Sequence, residues 1–245
     1  YSHPHSWHIQ DTSLVTKNKN LPIILFIHGA GASTHSWRLM VDHLKNNFRV
    51  FLIDLPGHGF TKLGKKNRSS LECITQDLEV LLISQNINPS LIIGHSAGSA
   101  VALNLAVSKK LKIKGILCLN GALGNFSGIA GLLYPFLAKI LAMSPLTVPF
   151  FTSLYSSKSQ VEKFLNLTGS NISSEGVRYY RKLISDKKHV EGTLAMMSQW
   201  NLNQLILRWK QIEIPVCLIV GENDNIVQNS DNIKASEDIP KSEFI

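Results

Sequence analysis

The chain has 245 residues, 44% of them hydrophobic and 17% charged, with a formal net charge of +8. That size and balance fit one globular α/β domain with a full-sized core. The positive charge comes with no nucleic-acid-binding motif, so a nucleic-acid partner is not expected.

The chain opens at Tyr1 with no charged and apolar leader, and no signal peptide is expected. Ile23–Ile27 and Phe48–Ile53 read as strands. Ser69–Asn86 carries Leu71, Ile74, Leu78, Leu81 and Leu82 at helical spacing, with a serine N-cap at its start. Leu91–Ile93 is a strand, Ser96–Val107 a helix, Ile113–Leu119 and Ile214–Val220 further strands, and Glu243–Ile245 the start of another. Such alternation predicts a mostly parallel sheet with helices on both faces. The alternation breaks from Asn120 to about Trp209, which reads as an inserted helical cap. The expected division is a core half over 1–120, a cap over 121–209 and a second, truncated core half over 210–245. Within the cap, Ile129–Phe151 is long and apolar with one charge, Lys139, but Pro135, Pro145 and Pro149 interrupt it. It reads as a pocket-lining cap, with a membrane span the weaker reading.

Cys73, Cys118 and Cys217 are odd in number, far apart and set in apolar stretches, which predicts buried free thiols in a reducing, cytoplasmic setting. Lysines cluster at Lys17–Lys19, Lys62–Arg68, Lys109–Lys114 and Lys187–Lys188, in expected loops and helix ends. A solvated basic surface is the default reading. Peripheral contact with anionic lipid, or with an acidic substrate, is the alternative.

The chemistry concentrates at residues 91–98, Leu-Ile-Ile-Gly-His-Ser-Ala-Gly. An apolar strand feeding G-x-S-x-G and then a helix is a nucleophile elbow, with Ser96 as the nucleophile. Three other motifs fall at carboxyl ends of expected strands, where open α/β sheets place their sites. His28-Gly-Ala-Gly31 follows the first strand, and its small residues let backbone N–H groups approach a developing oxyanion. Ala30 and Ala97 are the expected oxyanion donors, with Gly31 a weaker candidate. His28 is expected to be a structural hydrogen-bonding residue, since it sits on the wrong loop for a base. Asp54-Leu-Pro-Gly-His-Gly59 is expected to shape the site floor. Gly221-Glu-Asn-Asp224 supplies the triad acid, Asp224, with Glu222 as fallback. Gly29, Gly31, His95, Phe126 and Trp200 are the expected substrate contacts, His95 pointing away from Ser96.

A general base should follow Asp224, yet the last histidine is His189. The expectation is that the chain as given stops short of its own base. No metal-binding spacing of His, Cys, Asp or Glu appears, and His28-Gly-Ala-Gly-Ala does not complete a dinucleotide fingerprint, so no cofactor is expected.

These motifs, in this order, resemble the α/β-hydrolase superfamily over almost the whole chain. Four further stretches are similar to the magnesium-chelatase-associated α/β-hydrolases of bacteriochlorophyll biosynthesis, the BchO group: Trp7-His-Ile-Gln10, His28–Trp37, Leu119-Asn-Gly-Ala122 and Leu194–Trp200. The resemblance implies a role in photosynthetic pigment synthesis near magnesium insertion, a tetrapyrrole or other acyl substrate, and association with magnesium chelatase. Phe126, Tyr134, Phe136, Phe150, Phe151 and Trp200 would then line a pocket for a flat apolar ligand, or simply pack the cap. Three functions follow: a serine hydrolase of an ester or related acyl bond, a non-catalytic porphyrin-binding or chelatase accessory protein, and a general small-molecule carboxylesterase. Serine rather than aspartate at position 96 argues against dehalogenase and epoxide-hydrolase chemistry.

Overall fold

The computed structural model describes residues 4–15, 20–124, 146–154, 157–166, 169, 172–224 and 226–245. Seven strands form one sheet in the order β1-β3-β2-β4-β5-β6-β7. They are β1 Ile9–Asp11, β2 Ile23–Ile27, β3 Arg49–Ile53, β4 Leu91–His95, β5 Gly115–Leu119, β6 Val216–Ile219 and β7 Ser242–Phe244. β1 runs antiparallel to β3, and every other pair is parallel.

The strands are apolar at consecutive positions because both faces of the sheet are covered. Leu25, Ile27, Phe51, Ile53 and Ile92 join the larger core, which also takes in α2 (Leu71–Ser84) and α3 (Ala97–Ser108). Ile24, Phe26, Val50, Leu52 and Ile93 join a second core on the opposite face, packed with Trp37 and with Met40, Val41 and Leu44 of α1 (Arg38–Leu44). Edge strand β1 is pinned by a bidentate pair in which Arg49 donates Nε to Asp11 Oδ1 (3.0 Å) and Nη2 to Oδ2 (2.6 Å).

Between β5 and β6 the described chain is helical: α4 Thr147–Leu154, α5 Lys158–Asn166, α6 Ser174–Ser185, α7 Lys187–Gln199 and the short α8 Asn203–Ile206. Helix α9, Asn229–Asp238, then leads into β7. Among the described residues no helix is long and apolar enough to cross a membrane. Lys17–Lys19, Phe126, Tyr134, Phe136 and most of Ile129–Phe151 lie outside the described residues, as does the side chain of Phe151.

Three local expectations need correction. The N-cap of α2 is Ser70, whose Oγ accepts from Cys73 N at 3.3 Å, because Ser69 N is taken by Gln199 Oε1. Cys118 alone of the three thiols is buried; Cys73 and Cys217 are half-buried, although all three are free. β1 and α1 join the elements expected from the apolar runs.

Candidate active site

The strand order reverses beside β4: β2 and β3 lie on one side of it, β5 to β7 on the other. Crevices of open α/β sheets form at such a switch point, outside the strand carboxyl ends. The register aligns those ends, pairing Ile27 with Gly94, Gly94 with Cys118 and Leu119 with Ile219. The turns beginning at His28, Ser96, Asn120 and Val220 therefore stand side by side.

Ser96 has φ 52° and ψ −119°, a conformation L-residues avoid. Its surroundings impose it. Ser96 N donates to Leu119 O (3.0 Å), and Ser96 O accepts from Ser99 N (3.0 Å) and Ala122 N (3.1 Å). Ser99 Oγ donates to Gly94 O at 2.9 Å. A Cβ on Gly94 would lie 2.5 Å from Gly98 O, and one on Gly98 would lie 2.7 Å from His28 O, so the turn closes only with glycine at both places. A Cβ on Gly29 would sit 2.9 Å from Ser96 Cβ and 3.1 Å from His95 Nδ1. Gly29 thus leaves open the space beside the Ser96 side chain. His95, which is exposed, and Ser96 both flank Gly29. The surrounding protein lowers the His95 pKa, and the Asp224 charge partly offsets that.

Ala97 is the first residue of α3, where a helix leaves its N–H groups without intrahelical acceptors. Ala30 is exposed at the head of its loop. Among the described residues neither amide has a hydrogen-bond acceptor. Gly31, at φ 72°, directs its carbonyl to His189.

Asp224 lies after β6, half-buried. Its Oδ1 accepts from Ile226 N (2.7 Å) and Val227 N (2.9 Å), and its Oδ2 from Asn120 Nδ2. Glu222 is exposed on the same turn. No histidine is among Asp224's hydrogen-bond partners in the described residues. Asn120, at φ 44°, escaped sequence reasoning as a site residue. Its place in Leu119-Asn-Gly-Ala122 was the available signal.

The loop after β3 is a scaffold. The buried Asp54 carboxylate accepts from Thr34 N (2.7 Å) and Phe60 N (2.9 Å). His28 is fully buried; Leu55 N donates to its Nε2 (2.9 Å), and its Nδ1–H donates to Gly29 O (2.7 Å). Both ring nitrogens are committed, so His28 holds the loop after β2 against the loop after β3. Burial pulls its pKa down to about 4.

A second histidine, His189 of α7, ties the helical insertion to the same loops. Gly59 N donates to its Nδ1 (3.0 Å), and its Nε2–H donates to Gly31 O (3.2 Å). Beside it the backbones touch: a Cβ on Gly57 would lie 2.7 Å from Gly192 Cα. Trp200, partly buried, packs against the main core, and Phe150 is 64% exposed. Among the described residues no cluster of three or more His, Cys, Asp or Glu side chains has a metal-holding arrangement.

The profile of the alpha/beta hydrolase fold matches residues 22–245. The magnesium-chelatase 30 kDa subunit of Rhodobacter capsulatus is 39% identical over 238 residues, 97% of this chain and 81% of that protein. Among solved structures, a carboxylesterase of Nitrososphaera gargenis superposes with a TM-score of 0.74 at 23% identity, covering 98% of this chain and 85% of that one. An esterase of Exiguobacterium antarcticum superposes with a TM-score of 0.75 at 12% identity, covering 98% and 86%. By its sheet, its elbow and these likenesses, the chain belongs to the α/β-hydrolase superfamily and, within it, to the BchO group.

Proposed function

We propose that the protein is a serine hydrolase acting on an ester or related acyl bond, in association with the magnesium-chelatase step of bacteriochlorophyll synthesis. The observation that carries the reading is Ser96, held at positive φ at the switch point, with the Ala97 amide next to it in the chain and the Ala30 amide on the loop that Gly29 brings beside it, both without acceptors among the described residues. Ser96 Oγ attacks the acyl carbon while a histidine takes its proton. The Ala30 and Ala97 N–H groups receive the oxyanion, and the same histidine returns the proton to the leaving group. Water then repeats the sequence and releases the acid. Asp224, fixed by Asn120 and two backbone amides, orients the histidine.

The mechanism needs a histidine reaching both Ser96 and Asp224, and none of the described histidines is bonded to Asp224. The mechanism is therefore assayed on the whole gene product. The reading divides the chain into core halves over 1–120 and 210–245 and a cap over 121–209. The chelatase association rests on the name of the Rhodobacter capsulatus relative, and a tetrapyrrole ester is the substrate class it favours.

The absence, among the described residues, of a histidine partner on Asp224 also favours a second reading, a porphyrin-binding or chelatase accessory protein without catalysis. Hydrolysis of p-nitrophenyl acyl esters by the whole gene product separates the two. The hydrolase reading expects turnover that Ser96→Ala abolishes and Asp224→Asn lowers about 10⁴-fold. Equal turnover by Ser96→Ala, or pigment synthesis fully supported by it, would favour the accessory role.

A further inference from the structure

A concavity of about 1000 Å³ lies between the loop after β3 and helices α4 and α7. Its lining includes none of Ser96, Asp224, Ala30 or Ala97. Four lysines edge it: Lys62 and Lys66 from the core loop, Lys187 and Lys188 from the first turn of α7. The lysine ion pairs among the described residues are those of Lys45, Lys109, Lys110 and Lys158, so none of the four takes part in one. Two carboxylates share the lining, Asp186 and Glu191, and Asp186 already caps α7 by accepting from Lys188 N at 2.9 Å. The balance is positive. The wall behind the lysines is apolar: Phe60, Leu63, Val148, Pro149 and Leu194. Phe60 is 78% exposed there, its ring meeting the His8 ring at a centroid distance of 5.1 Å.

We infer that this cavity binds a small amphipathic anion, an apolar body ending in one or more carboxylates, at a site separate from the Ser96 elbow. A merely solvated basic face would need neither a concave shape nor an apolar wall. Ligand pockets combine both with a few placed polar groups, and this one lies at the upper end of their usual size. The charges suit carboxylate, and the wall suits a hydrocarbon or ring body whose burial covers Phe60. The walls are set in advance, since His189 and the Gly57–Gly192 backbone contact fix the core loop against α7. Little ordering therefore opposes binding. The inference does not depend on Ser96 being a nucleophile.

Isothermal titration at low salt tests it, with decanoate below its micellar concentration as the probe. Acetate carries the charge without the body, and decyltrimethylammonium the body with the opposite charge. The expected result is one saturable decanoate site, no heat from the other two, and affinity about tenfold weaker in Lys66→Glu/Lys188→Glu. The paired lysines are exposed, and thermal melting checks that the variant folds. Ala195→Trp, which fills the cavity, should abolish binding independently. Absence of decanoate binding would overturn the inference, as would binding unchanged in both variants. Loss in Ser96→Trp but not in the lysine pair would place the ligand at the elbow instead. Binding to phosphatidylglycerol vesicles without binding to monomeric decanoate would make this face a membrane contact and equally overturn it.

Discussion

Ser96 occupies a backbone conformation that costs about 1–3 kcal/mol, and it persists because its neighbours leave no other. Gly98→Ala should therefore destabilise the fold by about 3 kcal/mol or more in urea melts, since its Cβ would meet the backbone carbonyls leaving β2. Asn120 is the finer test of the site. Asn120→Gly keeps the positive φ and removes one of three donors to Asp224. A hydrogen bond to a charged group is worth about 1.5–3 kcal/mol, so kcat should fall about tenfold to hundredfold with KM little changed. A fall in KM-governed affinity alone would instead assign Asn120 to substrate contact. Ser96 was legible because glycines two residues to either side announce the turn, and Asp224 because it follows an apolar strand. Asn120 was not, because its value depends on β5 lying beside β6, and a lone Asn after a strand is commonplace.

At the scale of elements, the short apolar runs read as strands, Ile23–Ile27, Phe48–Ile53, Ile113–Leu119 and Ile214–Val220, each contain one, since burial on both faces of the sheet asks for continuous apolar residues. β1 escaped because three residues carry no period. Its strand character comes from pairing with β3 and from the Arg49–Asp11 pair. The docking of the insertion was equally hidden, because His189 and Gly59 stand 130 residues apart in sequence. That docking has a specific weak point. In Gly192→Ala the new Cβ would lie 2.6 Å from Gly57 Cα, and the core-facing side of α7 would have to move away. Overpacking of this kind costs about 1–3 kcal/mol. Hydrogen exchange should quicken across Lys187–Gln199 and the Asp54–Gly59 loop, while amides of β2, β4 and β5 stay protected. Uniform loss of protection would mean that the insertion and the sheet unfold as one unit.

At the scale of the molecule, buried histidines couple stability to pH. Burial brings His28 to about 4 and holds His58 and His189 below the ordinary histidine range, with neighbouring rings adding to the effect for His58. Unfolded, each titrates near about 6.5. Between those limits the unfolded chain binds more protons than the folded one, so stability is fully present above about pH 6.5 and falls as pH drops toward 4. His28 alone accounts for about 3 kcal/mol across that window. Protonation of His189 would loosen the insertion as well, because a protonated Nδ1 would face the Gly59 N–H that now donates to it. Urea melts from pH 7.5 to 4.5 should show the loss beginning above the carboxylate range. A flat profile down to pH 5 would mean that these rings stay neutral in both states.

The proposed mechanism requires Ser96 to be an activated nucleophile. Intact-mass spectrometry of the whole gene product after reaction with a fluorophosphonate, followed by peptide mapping, measures this. A single adduct on Ser96 is expected, absent in Ser96→Ala and formed far more slowly in Asp224→Asn. A folded protein that stays unmodified, or that carries the adduct elsewhere, would contradict the mechanism.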